Sequence, residues 1–289
     1  MPESALAVAG PALLAAIRGV RRARDKLEGG APADEDIHDF RVSLRRLRTL
    51  LAASRPLLRR KPVGRVVRVL ATAARATGPL RDEEVLAETL AELSLRPASR
   101  ARLDVWLASR GEAAGARRAE GLVEVVDGQL LQALDALTAL VARGRRRVRD
   151  LEAFADGALL RARHDVAVLA PLATADAVEP LHRLRLAMKR LRYLAEWLAE
   201  VFAADGRSRP DRAAALRELT RLAASYQREL GVVHDLDVAQ ATLAASTFDG
   251  RVRGAVMRAL AARRRAVVRP ALAKLRAELG VLVMAPVDG

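Results

Sequence analysis

The sequence predicts an all-α protein whose two halves repeat one another. Three observations carry this reading. Alanine and leucine dominate a hydrophobic content of 51 %, glycine and proline are modest, and β-branched runs are short, which favours helices over strands. The apolar positions around the most basic stretches recur with the helical period. One basic motif also occurs twice, as His38-Asp39-Phe40-Arg41-Val42-Ser43-Leu44-Arg45-Arg46-Leu47-Arg48 and as His182-Arg183-Leu184-Arg185-Leu186-Ala187-Met188-Lys189-Arg190-Leu191-Arg192. Both copies fit H-x-x-R-x-x-x-[RK]-R-L-R and lie 144 residues apart in a chain of 289. Each half, 1–144 and 145–289, therefore carries one.

The elements follow from periodicity and punctuation. The first half yields helices over 11–28, 35–54, 63–77, 82–94, 98–119 and 121–143. The stretch from Ala5 to Ile17 is a lead-in to the first of them. Glu3 stands where a signal peptide has its positive residues, and Gly10-Pro11 interrupts the apolar run. Asp34 or Asp36 caps the second helix. Pro56 and Pro62 separate it from the third, Gly78-Pro79 ends the third, and Pro97 precedes the fifth. The second half yields 146–169, 178–203, 211–230, 234–246 and 251–279, divided by Pro171, Pro180, Gly206 and Pro210, with Asp211 near a helix start.

Placed on a helix at about 100° per residue, His38, Arg41, Arg45 and Arg48 fall within about 80° of one another. Phe40, Leu44, Leu47 and Leu51 occupy the adjacent face. The second copy repeats this, with His182, Arg185, Lys189 and Arg192 on one face and Leu184, Met188, Leu191 and Ala195 on the other. This is the pattern of a half-buried amphipathic helix. Each stripe is roughly 15 Å long at the helical rise. Like charges three and four residues apart destabilise an isolated helix, so an anionic partner is expected to offset them. The whole chain agrees: 50 Lys and Arg against 35 Asp and Glu leave a net charge of +15 and a pI near 11.3. Arginine predominates, and its planar fork suits phosphate.

A second element is also repeated. Gly78-Pro79-Leu80-Arg81-Asp82-Glu83-Glu84-Val85 matches Gly231-Val232-Val233-His234-Asp235-Leu236-Asp237-Val238 as G-x-x-[RH]-D-x-[DE]-V, at an offset of 153. The second half thus holds about nine more residues between its two elements, accommodated around Asp205 to Pro210. At this offset Arg68 pairs with Arg221 and Arg75 with Arg228, each pair on the helix before the repeated turn. Residues seven apart share a helix face. Two helices per half therefore carry basic stripes, and side by side they would surround a cationic channel.

These residues resemble the CHAD family, the conserved histidine α-helical domain. The resemblance rests on both copies of the histidine motif, on Tyr193 completing the second as K-R-L-R-Y, and on the two G-x-x-[RH]-D turns, and it spans essentially the whole chain. It implies two helical bundles related by a pseudo-twofold axis, with inorganic polyphosphate bound in a basic cleft or pore between them. The first copy departs from the second in having Thr49 where Tyr193 stands, so no aromatic role transfers. His234 replaces the arginine seen at Arg81, which weakens a charge-based role there. No alternating acidic E-x-E-x-K element of a CYTH-type catalytic domain is found, so the resemblance is to a stand-alone CHAD protein.

Arg41, Arg45, Arg48, Arg185, Lys189 and Arg192 are the first candidate phosphate contacts. His38 and His182 either donate to a phosphate oxygen or order the start of their helices. Arg46 and Arg190 lie about 80° from the histidines on the helical wheel; they reach the ligand or pair with Asp82 and Asp235. Arg68, Arg75, Arg221 and Arg228 are second-line contacts. His164 reads as helix surface, and Trp106, Trp197, Phe154 and Phe202 as core.

Other functions fit less well. The chain has no cysteine, so disulfide, thiol and Cys-metal chemistry are absent. Each motif histidine shares its face with three cations, which would repel a divalent metal. No Walker A, H-E-x-x-H or G-x-S-x-G element appears, and no cofactor is expected. A phosphohistidine enzyme would place a histidine on a helical bundle, yet the motifs lack an acidic docking patch. Nucleic-acid binding is the main alternative partner; aromatics are only 3 %, and none interleave with the stripes as stacking platforms. No apolar run reaches a membrane span. The expected location is the cytoplasm, at polyphosphate granules if the resemblance holds.

Overall fold

The computed structural model describes residues 4–28, 32–126, 128–143, 150–204 and 210–284. Ten α-helices and one short 3-10 turn, Ala170–Leu172, account for the regular structure among them, and they contain no strand. The helices are α1 Ala5–Leu27, α2 Asp34–Ala53, α3 Arg60–Ala76, α4 Gly78–Ala91, α5 Pro97–Val126, α6 Gln129–Ala142, α7 Leu151–Leu169, α8 Val178–Ala204, α9 Pro210–Ala244 and α10 Gly250–Met284.

Several helix starts are set by short polar side chains. The Ser4 hydroxyl accepts from the Ala7 N–H at 3.3 Å, so α1 begins at Ala5 and runs through Pro11, well before the expected start at 11. In α2 the residue before the helix is Ala33, and its N–H donates to the Asp36 carboxylate at 3.0 Å. Of the two candidate caps, Asp36 does the capping, from inside the first turn. Asp150 accepts from the Ala153 N–H at 3.1 Å at the head of α7; the expected start at 146 lies outside the described residues, as does the insertion around Asp205.

Two expected breaks fall inside helices. The expected break near residue 120 is absent, because α5 passes Gly121 and ends at Val126, beside Gly128. An isolated glycine weakens a helix without ending it. The segments 211–230 and 234–246 are likewise one helix, α9. The repeated G-x-x-[RH]-D element is therefore a break between α3 and α4 in the first copy and an unbroken helix in the second. The difference lies at one position. Pro79 has no N–H and is tolerated only in the first turn of α4. Its counterpart Val232 keeps its N–H, and Leu230, Val233, Leu236 and Ala239 continue the buried stripe past Gly231.

α8 lies at the centre, packed on α9, α7, α2 and α1. One apolar core draws on both halves, with Phe40, Trp197, Phe202 and Tyr226 among its largest buried side chains. Phe154 meets Trp197 edge-on, ring centres 6.1 Å apart. A second, smaller core joins α4 and the start of α5 to the end of α9 and the start of α10. There Trp106, only half-buried, leans on Phe248 with Arg110 over its ring. Phe154, Trp197 and Phe202 are core as expected, and His164 is exposed.

Candidate functional site

The eight apolar residues of the two motif helices, Phe40, Leu44, Leu47 and Leu51 on α2 and Leu184, Met188, Leu191 and Ala195 on α8, are completely buried. That burial fixes the rotation of each helix and leaves the basic stripes to line whatever space remains. The two helices pack on one another, and their stripes meet across a cavity of about 660 Å3. α2 contributes His38, Arg41 and Arg45; α8 contributes His182, Arg185, Lys189 and Arg192; α9 adds Gln227, Arg228, His234 and Asp235; and Asp82 closes it from α4. A smaller hollow of about 270 Å3 shares Arg41 and Arg45 and adds Arg48 and Arg75.

The two repeated elements meet in each half. The Arg41 guanidinium donates to the Ala74 carbonyl at 3.2 Å and to the Thr77 hydroxyl at 3.5 Å, at the end of α3. A Cβ built on Gly78 would lie 3.6 Å from its Nη1. Arg185 lies equivalently against Gly231, at 3.8 Å from such a Cβ, and reaches the Asp235 carboxylate at 3.9 Å. Arg192 donates to Gln227 at 3.1 Å. The Nε of Arg185 and that of Arg192 are buried with no hydrogen-bond partner, an unfavourable state for a charged donor.

The crowding of cations has a clear electrostatic result. Lys189 is only 6 % exposed and has no carboxylate within ion-pair distance among the described residues. Burial first, then Arg185 and Arg45, pull its ammonium down to about 6, with Asp235 partly opposing. Burial also lowers Arg185, against the pull of Asp235. His182 and His234 face each other, Nδ1 to Nδ1 at 3.1 Å. One ring must donate and the other accept, so at least one of the two is neutral. Burial and the nearby Arg185 push His234 down to about 3, and burial and Arg185 lower His182 as well. Burial raises Asp82 despite Arg41 beside it. The cavity thus holds more cationic groups than it can keep charged while empty.

The other predicted residues fall elsewhere. Arg46 does not pair with Asp82; it crosses from α2 to Glu200 at 2.8 Å and Glu196 at 3.7 Å on α8. It is a clamp between the motif helices. Arg46→Ala is expected to lower stability by about 0.5–1 kcal/mol, as for a partly exposed pair, and to leave anion binding within twofold; thermal melting and titration check both. Arg190 does not pair with Asp235, and meets Asp165 on α7 at 3.3 Å, outside the cavity. Arg221 is exposed and bound to Glu218 on its own helix, Nε to carboxylate 2.9 Å. Arg68 is exposed on α3, away from the cavity lining. The lining residues outside the candidates include Asp82, Gln227, His234 and Asp235. The aspartate that recurs in both copies of the second repeat, as Asp82 and Asp235, is the available signal, and His234 stands next to it. The Arg81 side chain lies outside what is described. Among the described residues no group of His, Asp and Glu is arranged to hold a metal, and no helix is long and apolar enough to cross a membrane.

Comparison with known proteins agrees with this architecture. Among curated proteins none matches the chain. Among solved structures it is similar to the CHAD domain from the plant Ricinus communis, with 24 % identity, a TM-score of 0.76, and coverage of 97 % of this chain and 93 % of that one. It is also similar to PptA from Streptomyces chartreusis, with 17 % identity, a TM-score of 0.58, and coverage of 95 % and 98 %. At these identities both likenesses speak for the fold. The sequence model of the CHAD domain matches residues 11–244, which takes in both histidine motifs and both copies of the second repeat, and on that match the chain belongs to the CHAD family.

Proposed function

We propose that this protein binds inorganic polyphosphate in the cavity between α2 and α8, and that it holds the polymer without transforming it. One observation carries the reading: the stripes of both motif copies form opposite walls of a single cavity, Arg41 and Arg45 facing Arg185 and Lys189. A chain of phosphates brings closely spaced charge, which returns Lys189 to its ammonium form and gives the orphaned Nε of Arg185 and Arg192 acceptors. The two motifs are then two halves of one site, consistent with a duplicated bundle and a cleft between its copies.

Size favours a single thread of phosphates over a duplex. The cavity is within the range of clefts for small ligands, roughly 300–1,000 Å3. A nucleic-acid duplex, whose major groove alone is about 12 Å wide, would have to bind outside it. Attachment to intracellular polyphosphate granules would follow from the same site.

Titration with tripolyphosphate, inorganic sulfate and duplex DNA at matched ionic strength tests this. Tripolyphosphate should bind with a stoichiometry of about one, and a tenfold excess of sulfate or DNA, by charge, should fail to displace it. Equal competition by all three would reduce the cavity to a general cationic surface. Phosphate release or a stable phosphohistidine during the titration would show chemistry at the site and overturn the non-catalytic reading.

A further inference from the structure

The cationic surface does not stop at the cavity. Between Asp39 and Asp82 the sequence contains no Asp or Glu and twelve Lys and Arg. Several of these lie on α3. Lys61, Arg65, Arg68, Thr72 and Arg75 succeed one another at alternating steps of four and three residues, which places them within about 80° on one helix face. The opposite face, Val63, Val66, Leu70 and Ala73, is buried in the core. All four cations are exposed, and Lys61, Arg65 and Arg68 have no carboxylate partner among the described residues. Arg75 is tied only to the Thr72 hydroxyl of the same stripe, at 2.8 Å.

Both ends of the stripe lead somewhere. At the inner end Arg75 lines the small hollow together with Arg41, Arg45 and Arg48, so the stripe is continuous with the α2 wall of the cavity. At the outer end Lys61 and Arg65 join Arg55 and Arg59 around a surface hollow of about 1120 Å3. From Lys61 to Arg75 the distance along the helix is about 21 Å.

The equivalent helix of the second half, α9, has no such track. At the offset of 153, α9 presents Ala214, Glu218, Arg221, Ser225 and Arg228 in the same order. Arg221 is neutralised by Glu218. Ser225 accepts from Lys274 of α10 at 2.9 Å, and the same lysine meets Glu229 at 3.1 Å. The equivalent stripe is thus interrupted, internally paired and crossed by α10.

We propose that the part of a polyphosphate chain that leaves the cavity runs outward along α3, from Arg75 over Arg68 and Arg65 to the hollow at Lys61, and that α9 offers no equivalent exit. This rests on the cavity being the polyphosphate site. A single phosphate thread is the occupant that fits. The stripe is one helix face wide, it continues the cavity wall, and α3 carries no aromatic residue on which a base would stack. A lipid surface would need the apolar face of the helix, and that face is in the core.

The test uses two probes and two variants of the full chain. Lys61→Gln/Arg65→Gln/Arg68→Gln neutralises the track without touching the cavity lining, and Arg221→Gln does the same on the α9 side. The natural chain should bind long-chain polyphosphate more tightly than tripolyphosphate. The triple variant should bind tripolyphosphate as before, which also reports that it is folded. It should lose at least tenfold in affinity for the long chain, with a salt dependence shallower by about 2 in log–log slope, taking about 0.7 per lost contact as for single strands. Arg221→Gln should match the natural chain with both probes. Unchanged long-chain binding by the triple variant removes the track alone. So does a parallel loss of both probes, which would mean that these cations act through the cavity, and so does an equal loss in Arg221→Gln. Failure of the natural chain to bind tripolyphosphate removes the cavity reading, and the track with it. Displacement of the long chain from the track by single-stranded DNA at equal charge would assign α3 to nucleic acid instead.

Discussion

A Lys189→Met variant is expected to melt at a higher temperature than the natural chain and to bind polyphosphate about tenfold to a hundredfold more weakly. Lys189 is buried among Arg185, Arg45 and Arg41, with only Asp235 in its favour. Its ammonium is destabilised in the fold, whereas in the unfolded chain it is freely solvated. Methionine has nearly the same length, needs no counter-charge and tolerates an irregular site. Replacing a poorly compensated buried charge by an apolar side chain is often stabilising, here by about 1–2 kcal/mol, the usual yield of a favourable single substitution. For a chain of this size that is roughly 2–4 °C per kcal/mol. Binding moves the opposite way. A charge-assisted hydrogen bond contributes about 1.5–3 kcal/mol, and about 1.4 kcal/mol is a factor of ten. The pH dependence of stability should change as well. With a folded pKa of about 6 against an ordinary value of 10.5, the folded state binds fewer protons between those limits, so stability of the natural chain rises with pH across that window. The methionine variant should lose that contribution. Lower stability together with undiminished binding would mean that Lys189 is a structural residue and not a phosphate contact.

The second large effect is proton uptake on binding. Lys189 is mostly neutral in the empty cavity at pH 7.5, because its pKa is about 6. Phosphates beside it raise that value, so the complex takes up a proton that the free protein lacks. Affinity should therefore increase as pH falls from 8 towards 6, by at most about tenfold per pH unit for one proton, and level off below the free pKa. His234, pushed down to about 3, starts from much further below this window than Lys189 does. Long-chain polyphosphate is the suitable probe, since its weakly acidic groups are confined to its ends. Calorimetry in two buffers of different ionisation enthalpy should report an uptake of about one proton at pH 7.5, and clearly less in Lys189→Met. Zero uptake by the natural chain would show that no phosphate reaches Lys189.

Much of this was readable before the structure. The wheel of each motif separated four buried apolar residues from four basic or histidine positions, and the fold buries all eight of the former. Seven of the eight latter line the main cavity, with Arg48 in the adjoining hollow. Periodicity suffices there because a helix with a wide apolar face has one way to turn towards a core. Its limits appear where a position depends on chain distant in sequence. The wheel puts Arg46 off the stripe, but its acids, Glu196 and Glu200, come from α8, and no spacing within α2 announces them. Arg68 and Arg75 do share a face of α3, yet only the end near Arg75 adjoins the cavity; which end does so is set by packing. Arg221 was a legible miss, because Glu218 stands three residues earlier on the same helix. The continuity of α9 was legible too, in the replacement of Pro79 by Val232 within an otherwise matching repeat. The pairing of His182 with His234 joins the two repeated elements and required the tertiary structure.

The central claim is that both motif copies form one polyphosphate site. It is tested most directly by titrating long-chain polyphosphate at two salt concentrations into the natural chain, Arg45→Ala, Lys189→Ala and the double variant, with duplex DNA as competitor. The two residues lie on opposite walls and come from different halves. The account predicts tight, salt-sensitive binding that DNA does not displace, weakened by either single change. It also predicts a double-variant loss that differs from the sum of the two, as for residues sharing one ligand. Binding unchanged in the double variant, or displaced by DNA at equal charge, would contradict it.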